Sequence, residues 1–363
     1  MNAQVEKLRD LNSVWIYGDG GFAQEVSAFL NKQNISVIGN ITRDGFRING
    51  ELGGVELYKS NEFPVVIGVF NHKDDPIEII GALESMNIKT IISPAKLMLL
   101  SQGLNFRKYY LDSDSKKDHL GKVVREVSKK LSDEESVHVL EGFIGYQQTG
   151  DARSLVRSGG SDIQYLGLTL PSPFREKWLE GNLNWFDIGA FDGDTLRAIQ
   201  NSGRDLTNDN FICAEPDVIN FGNLKSTVAK ISTNVRLFNV AIGANSGQID
   251  FIHEGTLSAH QTNQNVENNS IAPVEVMTID QICLDFLPSH IKMDIEGAEM
   301  EALLGGMQTI ISSRPKLAIS LYHTPRDIFE LSDLLMTRIT NYSWFIRSYG
   351  AHGYDTILYG LPN

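Results

Sequence analysis

The stretch Phe186-Asp187-Ile188-Gly189-Ala190-Phe191-Asp192-Gly193-Asp194-Thr195 gathers carboxylates, a hydroxyl and two glycines into one short segment. Gly189 and Gly193 let the backbone pass close to a ligand, and a helix starting beyond them presents free N–H groups to it. Carboxylates such as Asp187 and Asp192 are wrong for cradling a pyrophosphate but right for a cationic or hydroxyl-rich ligand. Glu215, in Ala214-Glu215-Pro216-Asp217, is a further acid. At the carboxyl end of a strand it can accept bonds from both ribose hydroxyls. A nucleoside with a sulfonium in place of phosphates satisfies the set, and S-adenosylmethionine is such a molecule. The expected cofactor-binding residues are Asp187, Gly189, Ala190, Phe191, Asp192, Gly193, Thr195, Glu215 and Pro216, with Ala241 bordering the adenine.

These residues need elements to hold them. Trp185 to Ile188 is a short apolar run ending at Gly189, and Leu196 and Ile199 begin an amphipathic helix. Phe211 to Ala214 reads as a second strand, Val235 to Ala241 as a third and Ile291 to Ile295 as a fourth. The fourth leads through Glu296-Gly297 into a helix from Ala298 to Leu304. Lys316 to Tyr322 is a fifth strand ending at His323. Ser343 to Tyr349 and Asp355 to Tyr359 are too close in sequence for a parallel crossover, so they form an antiparallel hairpin. The expected fold is α/β, with the Rossmann-like sheet of class I methyltransferases, mostly parallel with one antiparallel strand at its end. Gln248 to His253 and Val274 to Thr278 read as an extra strand pair around a polar loop, Glu254 to Ser270, suited to an acceptor-site lid.

Methyl transfer is an in-line displacement that must align donor and acceptor and remove a proton from a poorly nucleophilic hydroxyl. Asp294 and His323 both stand at carboxyl ends of strands, where open α/β sheets bind ligands. Asp294 is assigned acceptor orientation or base work, with His323 as the rival base or a cap for the helix after it. Glu296 completes the expected catalytic set. With Asp294 it could hold a magnesium ion, although a third ligand is not evident. Glu299 reads as an acid compensating a helix dipole, and Lys292 as the partner of a nearby carboxylate.

A chain of 363 residues has room for two ordinary domains. Its net charge of −13 excludes a phosphate-rich partner such as nucleic acid. No apolar run reaches the roughly 18 residues of a membrane span. Met1-Asn2-Ala3-Gln4-Val5-Glu6 lacks the pattern of a signal peptide, and Cys213 and Cys283 suggest no disulfide or zinc framework, so a cytoplasmic protein is expected.

The N-terminal part is built on a different motif. Ser13 to Tyr17 is a buried-strand pattern, followed by Gly18-Asp19-Gly20-Gly21-Phe22-Ala23 and a helix from Gln24 to Lys32. This is G-x-G-x-x-A between strand and helix. Ile35 to Gly39, Pro64 to Phe70, a helix from Pro76 to Met86, and Thr90 to Ser93 continue a small parallel α/β sheet. A nicotinamide-dependent oxidoreductase is one reading, but the second strand ends at Asn40 instead of an acid. Beyond it, Asp112 to Asp118 is a polar linker. Leu120, Val123, Val124, Val127 and Leu131 mark one helical face, and Ser132-Asp133-Glu134-Glu135 has capping-box form before the stripe Val137, Leu140, Phe143 and Ile144. The expected domains are 1–105, small and Rossmann-like; 106–170, a helical connector; and 171–363, the methyltransferase-type domain.

Two resemblances extend this reading. Tyr17 to Val26, Val65-Val66-Ile67-Gly68 and Ile91-Ile92-Ser93-Pro94-Ala95 resemble the N-terminal domain of PglD-type nucleotide-sugar acyltransferases, whose glycine loop faces a UDP-sugar. Residues 131–363 resemble the FkbM methyltransferase family in Phe186 to Thr195, Ala214-Glu215-Pro216-Asp217, Thr278-Ile279-Asp280 and, most specifically, Ile291-Lys292-Met293-Asp294-Ile295-Glu296-Gly297-Ala298-Glu299 followed by Leu304-Gly305-Gly306. Leu131 to Ser136 and Gln164-Tyr165 are similar to the family's lead-in, with Leu166 where Phe is more usual. The resemblance implies S-adenosylmethionine-dependent O-methylation of a hydroxyl on a sugar, glycan precursor or natural product. The competing expectation is a nucleotide-sugar binding module without catalysis.

Overall fold

A computed structural model describes residues 7–42, 45–48, 51–53, 63–71, 73–101, 117–231, 233–253 and 270–363. The chain divides into two compact units. One comprises Met1–Lys116, His138–Val156 and Gly350–Tyr354; the other comprises Lys117–Val137, Arg157–Tyr349 and Asp355–Asn363. The expected 106–170 segment thus contributes residues to both. The proposed lid loop, 254–269, lies outside the described residues, as does most of the polar linker.

In the first unit the elements run β1 (Ser13–Tyr17), α1 (Gly21–Lys32), β2 (Ser36–Thr42), β3 (Gly45–Ile48), β4 (Glu51–Gly53), β5 (Val65–Ile67), α2 (Pro76–Ser85), β6 (Ile91–Ile92) and α3 (Pro94–Leu100). They form one sheet in the order β4-β3-β2-β1-β5-β6. β2, β1, β5 and β6 are parallel, as the alternation of strand and helix predicts. β3 and β4 add an antiparallel edge, which corrects the all-parallel expectation. Its signal was present: only Asn49-Gly50 separates the two strands, the dipeptide of a tight hairpin. Gly18 follows β1 at φ +106°, and Gly20 caps α1 without a side chain.

The second unit holds α4 (Lys117–Lys130), the first turn of α5 (Glu134–Thr149), α6 (Phe174–Trp178), β7 (Asn184–Ile188), α7 (Asp194–Asn201), β8 (Asn210–Ala214), α8 (Val218–Val228) and β9 (Asn234–Phe238). It continues with β10 (Ala241–Ile242), β11 (Gly247–His253), β12 (Ser270–Met277), α9 (Ile279–Ile282), β13 (His290–Met293), α10 (Glu299–Leu304), α11 (Met307–Ser313), β14 (Lys316–Ser320), α12 (Asp327–Arg338), β15 (Tyr342–Ser348) and β16 (Thr356–Pro362).

Seven of these strands make the main sheet, ordered β15-β16-β14-β13-β7-β8-β9. β14, β13, β7, β8 and β9 are parallel neighbours, while β16 runs antiparallel to both β14 and β15. The hairpin is therefore as expected, but its reversed strand lies inside the sheet and not at its end. Buried Ile357, Leu358, Tyr359 and Leu361 suit an interior strand flanked on both sides. The run expected at Val235 to Ala241 is split. β9 stops at Phe238, Asn239 turns its amide onto the carbonyls of Glu215 and Pro216, and β10 joins β11 and β12 in a separate sheet. Ser132 is not the helix cap the sequence suggested. Asp133 accepts from Ser136 N and also binds fully buried Arg347, whereas Ser132 Oγ accepts from Trp344 N.

Strand order decides where a ligand can sit. The connection from β7 leads to β8 on one side, while β13 and β14 continue on the other, so the switch point lies between β7 and β13. There Asp294 N donates to Ile188 O at 3.0 Å, and Gly189 turns away at φ +77°. A Cβ on Gly189 would stand 1.9 Å from Asp294 O. Gly189→Ala is expected to lower the stability of the protein by about 2 kcal/mol or more, from left-handed strain together with the clash. An unchanged urea midpoint would show that the two strand ends can separate without cost.

Candidate active site

β7 and β13 are buried along almost their whole length, and each carries one charged residue into the interior. Asp187 is 1% and Lys292 2% exposed, and Lys292 Nζ lies 3.0 Å from Asp187 Oδ1 while donating to Gly189 O. Burial acts to strip the ammonium of its proton, but Asp187, Asp294 and Asp194 together hold it charged. Burial pushes Asp187 up to about 6 against the pull of Lys292. The pairing expected of Lys292 is thus present, and it ties the glycine turn to the neighbouring strand.

Beyond the turn, Gly189 N and Ala190 N both donate to Ala214 O at 3.0 Å. Phe191, at φ +48°, gives its N–H to Glu215 Oε2 at 2.9 Å, and Asp217 N donates to Oε1 at 2.9 Å. Glu215 is buried, and burial raises its carboxyl to about 7. Each oxygen has one donor, which leaves the acceptor capacity that two ribose hydroxyls need. Gly193, at φ +86°, opens α7, where buried Thr195 directs its N–H to Asp194 Oδ1 at 2.7 Å. Asp192 is partly exposed and pairs with Arg197 at 2.7 Å. Ala241 is buried in the smaller sheet against β12, one residue after Val240.

The other half of the site is a hydrogen-bonded cluster on the ends of β13 and β14. Asp294 Oδ2 accepts from Tyr165 Oη at 2.8 Å, and Oδ1 accepts from Tyr322 Oη at 3.2 Å. His323 Nε2 is also 3.2 Å from Oδ1, and its Nδ1 is 2.9 Å from Glu299 Oε1. Glu299 Oε1 additionally takes the N–H of Ile295 at 2.9 Å. The imidazole, buried between two carboxylates, is held well above its ordinary range: burial opposes the charge, but Glu299 and Asp294 override it. Asp294 is pulled well below the carboxylate range, because His323, Lys292 and Tyr165 outweigh the burial that would raise it.

The structure corrects one sequence expectation here and adds two residues to the cluster. His323 does not cap the following helix, since Thr324 N and Oγ1 both donate to Asp327. Glu299 stands in the first turn of α10, where an acid can compensate the helix dipole, and it is also 1% exposed and a partner of His323. Tyr165 and Tyr322 carry no expected role from the sequence. The signals available were Tyr165 in the quoted Gln164-Tyr165 pair and Tyr322 directly before His323, but only the sheet brings their phenols to one carboxylate. Asp294, Glu299 and His323 present donor atoms within 4.8 Å of one another. In this arrangement the imidazole occupies the space between the acids, and its two nitrogens face them.

Residues 187–350 match the family model described as Methyltransferase FkbM domain. Among solved structures, the methyltransferase FkbM of Methylobacillus flagellatus is similar in fold, with a TM-score of 0.71 at 21% identity over 96% of this chain and 90% of that one. No curated protein matches the chain. Among the described residues no helix is long and apolar enough to cross a membrane. The match to the FkbM methyltransferase domain takes in the glycine turn, Glu215, Asp294, Glu296, Glu299 and His323, and leaves Tyr165 outside it.

Proposed function

We propose that this protein is an S-adenosylmethionine-dependent O-methyltransferase acting on a hydroxyl of a sugar, glycan precursor or natural product. The observation that carries this reading is the placement of Asp294 beside the Gly189 turn, across the switch point from Glu215. When bound, S-adenosylmethionine supplies an electrophilic methyl group on a sulfonium. Glu215 holds the ribose, the N–H groups and acids around Gly189 to Thr195 receive the amino-acid end, and Pro216 and Ala241 border the base. Asp294, fixed by two phenols and His323, orients the acceptor hydroxyl, with Glu296 beside it. His323 is a poor base because it is already protonated between its two acids. Residues 1–105 serve as a substrate-side domain, their glycine loop taking the nucleotide part of a sugar acceptor. Asn40 donates to Gly18 O at 2.5 Å, so an amide stands where a nicotinamide-dinucleotide site would have an acid for the adenosine ribose.

Substitutions at Glu215, Gly20, Asp294 and His323 test these assignments. Glu215→Ala is expected to weaken S-adenosylmethionine binding by about 1–3 kcal/mol, the scale of unpaired buried donors. In the wild type, affinity should rise as pH increases through about 7, where Glu215 ionises and accepts both hydroxyls, and calorimetry on the variant should lose that dependence. Equal affinity at all pH values for both proteins would remove Glu215 from the site.

Gly20→Val adds a side chain into open space at an ordinary φ, so the fold should tolerate it. UDP-sugar binding measured by thermal shift should disappear while the S-adenosylmethionine shift persists. A first unit that only packs would show no nucleotide-induced shift even in the wild type.

Asp294→Asn should reduce turnover by roughly 100-fold with little change in cofactor affinity. Removing metal with a chelator should leave turnover intact, since the imidazolium supplies the positive charge among these acids. For His323 the sign is that of a cation stabilised by folding. Its contribution is fully present below pH 6.5 and fades as pH rises through the higher folded value. His323→Gln should therefore destabilise most at low pH. A penalty that grew with pH would mean that the ring is buried neutral.

A further inference from the structure

We infer that Glu296 takes the proton from the acceptor hydroxyl, while Asp294, His323 and Glu299 form a fixed frame around it; this rests on the methyltransferase reading above. Three acids approach His323, and they are not equivalent. Asp294 has a phenol on each oxygen. Glu299 is 1% exposed, with Oε1 committed to Ile295 N and His323 Nδ1. Glu296 keeps a side chain 38% exposed, and its Oε1 stands 3.9 Å from His323 Nε2, beyond hydrogen-bond length. A substrate can reach that carboxylate from solvent.

The backbone supports the same assignment. Glu296 sits at φ +55° and Gly297 at φ +100°, immediately after β13 and before α10. The left-handed region is unfavourable for a residue with a Cβ, and non-glycine residues held there cluster at functional sites. The turn places Glu296 outside both the strand and the helix.

Proton affinity then divides the work. The groups facing Glu296 are His323 and Tyr322 at the end of β14, Asp294 at the end of β13 and Glu299 in α10. Partial burial, with 38% of the side chain still exposed, raises the Glu296 carboxyl to about 7 in spite of His323, whereas Asp294 is held far below. Two carboxylates pushed apart in one site take different roles. The weaker base orients, and the one poised near neutrality transfers the proton. In the step, the acceptor oxygen gains its bond to the methyl carbon as the carbon–sulfur bond breaks and its electron pair stays on sulfur. The hydroxyl proton passes to a Glu296 oxygen and from there to solvent.

The test follows radiolabelled methyl from S-adenosylmethionine to glycerol and to methyl α-glucopyranoside, used as hydroxyl probes. Wild-type transfer should rise with pH and level off above about 7. Glu296→Gln should transfer roughly 100-fold less and show no such limb, with cofactor affinity by calorimetry unchanged. Asp294→Asn should be slow yet keep a limb, moved to lower pH because a like charge facing Glu296 is gone. A limb lost in Asp294→Asn but kept in Glu296→Gln would overturn the inference and make Asp294 the base. If the wild type binds the cofactor but methylates neither probe, hydroxyl methylation of this class falls, and the inference with it. A substrate-free readout is carbon NMR of carboxyl-labelled glutamate. The resonance missing in Glu296→Gln should titrate near 7, and titration near the ordinary 4.5 would overturn the assignment.

Discussion

The site depends on an ammonium ion buried in the centre of the sheet. Lys292 is almost wholly removed from water, and a charge there is tolerated only because acids surround it. Its carboxylate partner is on the next strand, and it also donates to the carbonyl of Gly189. The ion pair therefore fastens the end of β7 to β13 at the point where the chain must leave the sheet in two directions. Replacing one partner would leave the other charged and unpaired in the interior, a costlier outcome than losing the pair together. The close approach of Gly189 to Asp294 is the steric counterpart of this electrostatic tie.

From that tie the two halves of the cleft acquire opposite characters. On the glycine side, backbone N–H groups converge on one carboxylate, Glu215, which burial makes less acidic. On the strand-end side, side-chain donors converge on another, Asp294, which they make more acidic. The phenols of Tyr165 and Tyr322 remain neutral donors because burial and the adjacent Asp294 push both well above the ordinary tyrosine range. His323 supplies positive charge between Asp294 and Glu299, and that charge helps to hold Asp294 ionised. The set holds more carboxyl groups than cations, which suits an uncharged acceptor more than an anionic one.

Tyr165 shows how far the fold reaches to build this cluster. Its N–H donates to Tyr359 Oη, its carbonyl accepts from Trp178 Nε1, and its hydroxyl meets Asp294 and Ser320. Lys292 Nζ lies 5.2 Å from the centre of its ring. A residue ahead of the sheet in sequence is thus held at four points before it can support the reaction centre. At φ +65° it adopts a conformation that only such constraints would maintain.

Much of this protein was determined by local pattern. Apolar runs ending in glycine, followed by helical periodicity, specify strand-turn-helix units wherever they occur, so the alternation of both sheets and the hairpin at the end were legible residue by residue. The places of Asp187, Gly189, Glu215 and Asp294 at or just beyond the carboxyl ends of strands were legible in the same way. Strand order and charge pairing were not legible, since they depend on contacts between residues far apart in the chain. Only the tertiary structure placed β16 inside the sheet and split the third strand at Asn239. It also brought Tyr165 to Asp294 and turned Glu299 inward to His323. The same contacts separated the proton affinities of Asp294 and Glu296, two acids with a single residue between them that no pattern distinguishes. Burial and hydrogen bonding act through space, and for that reason the chemistry of these side chains was decided by the fold.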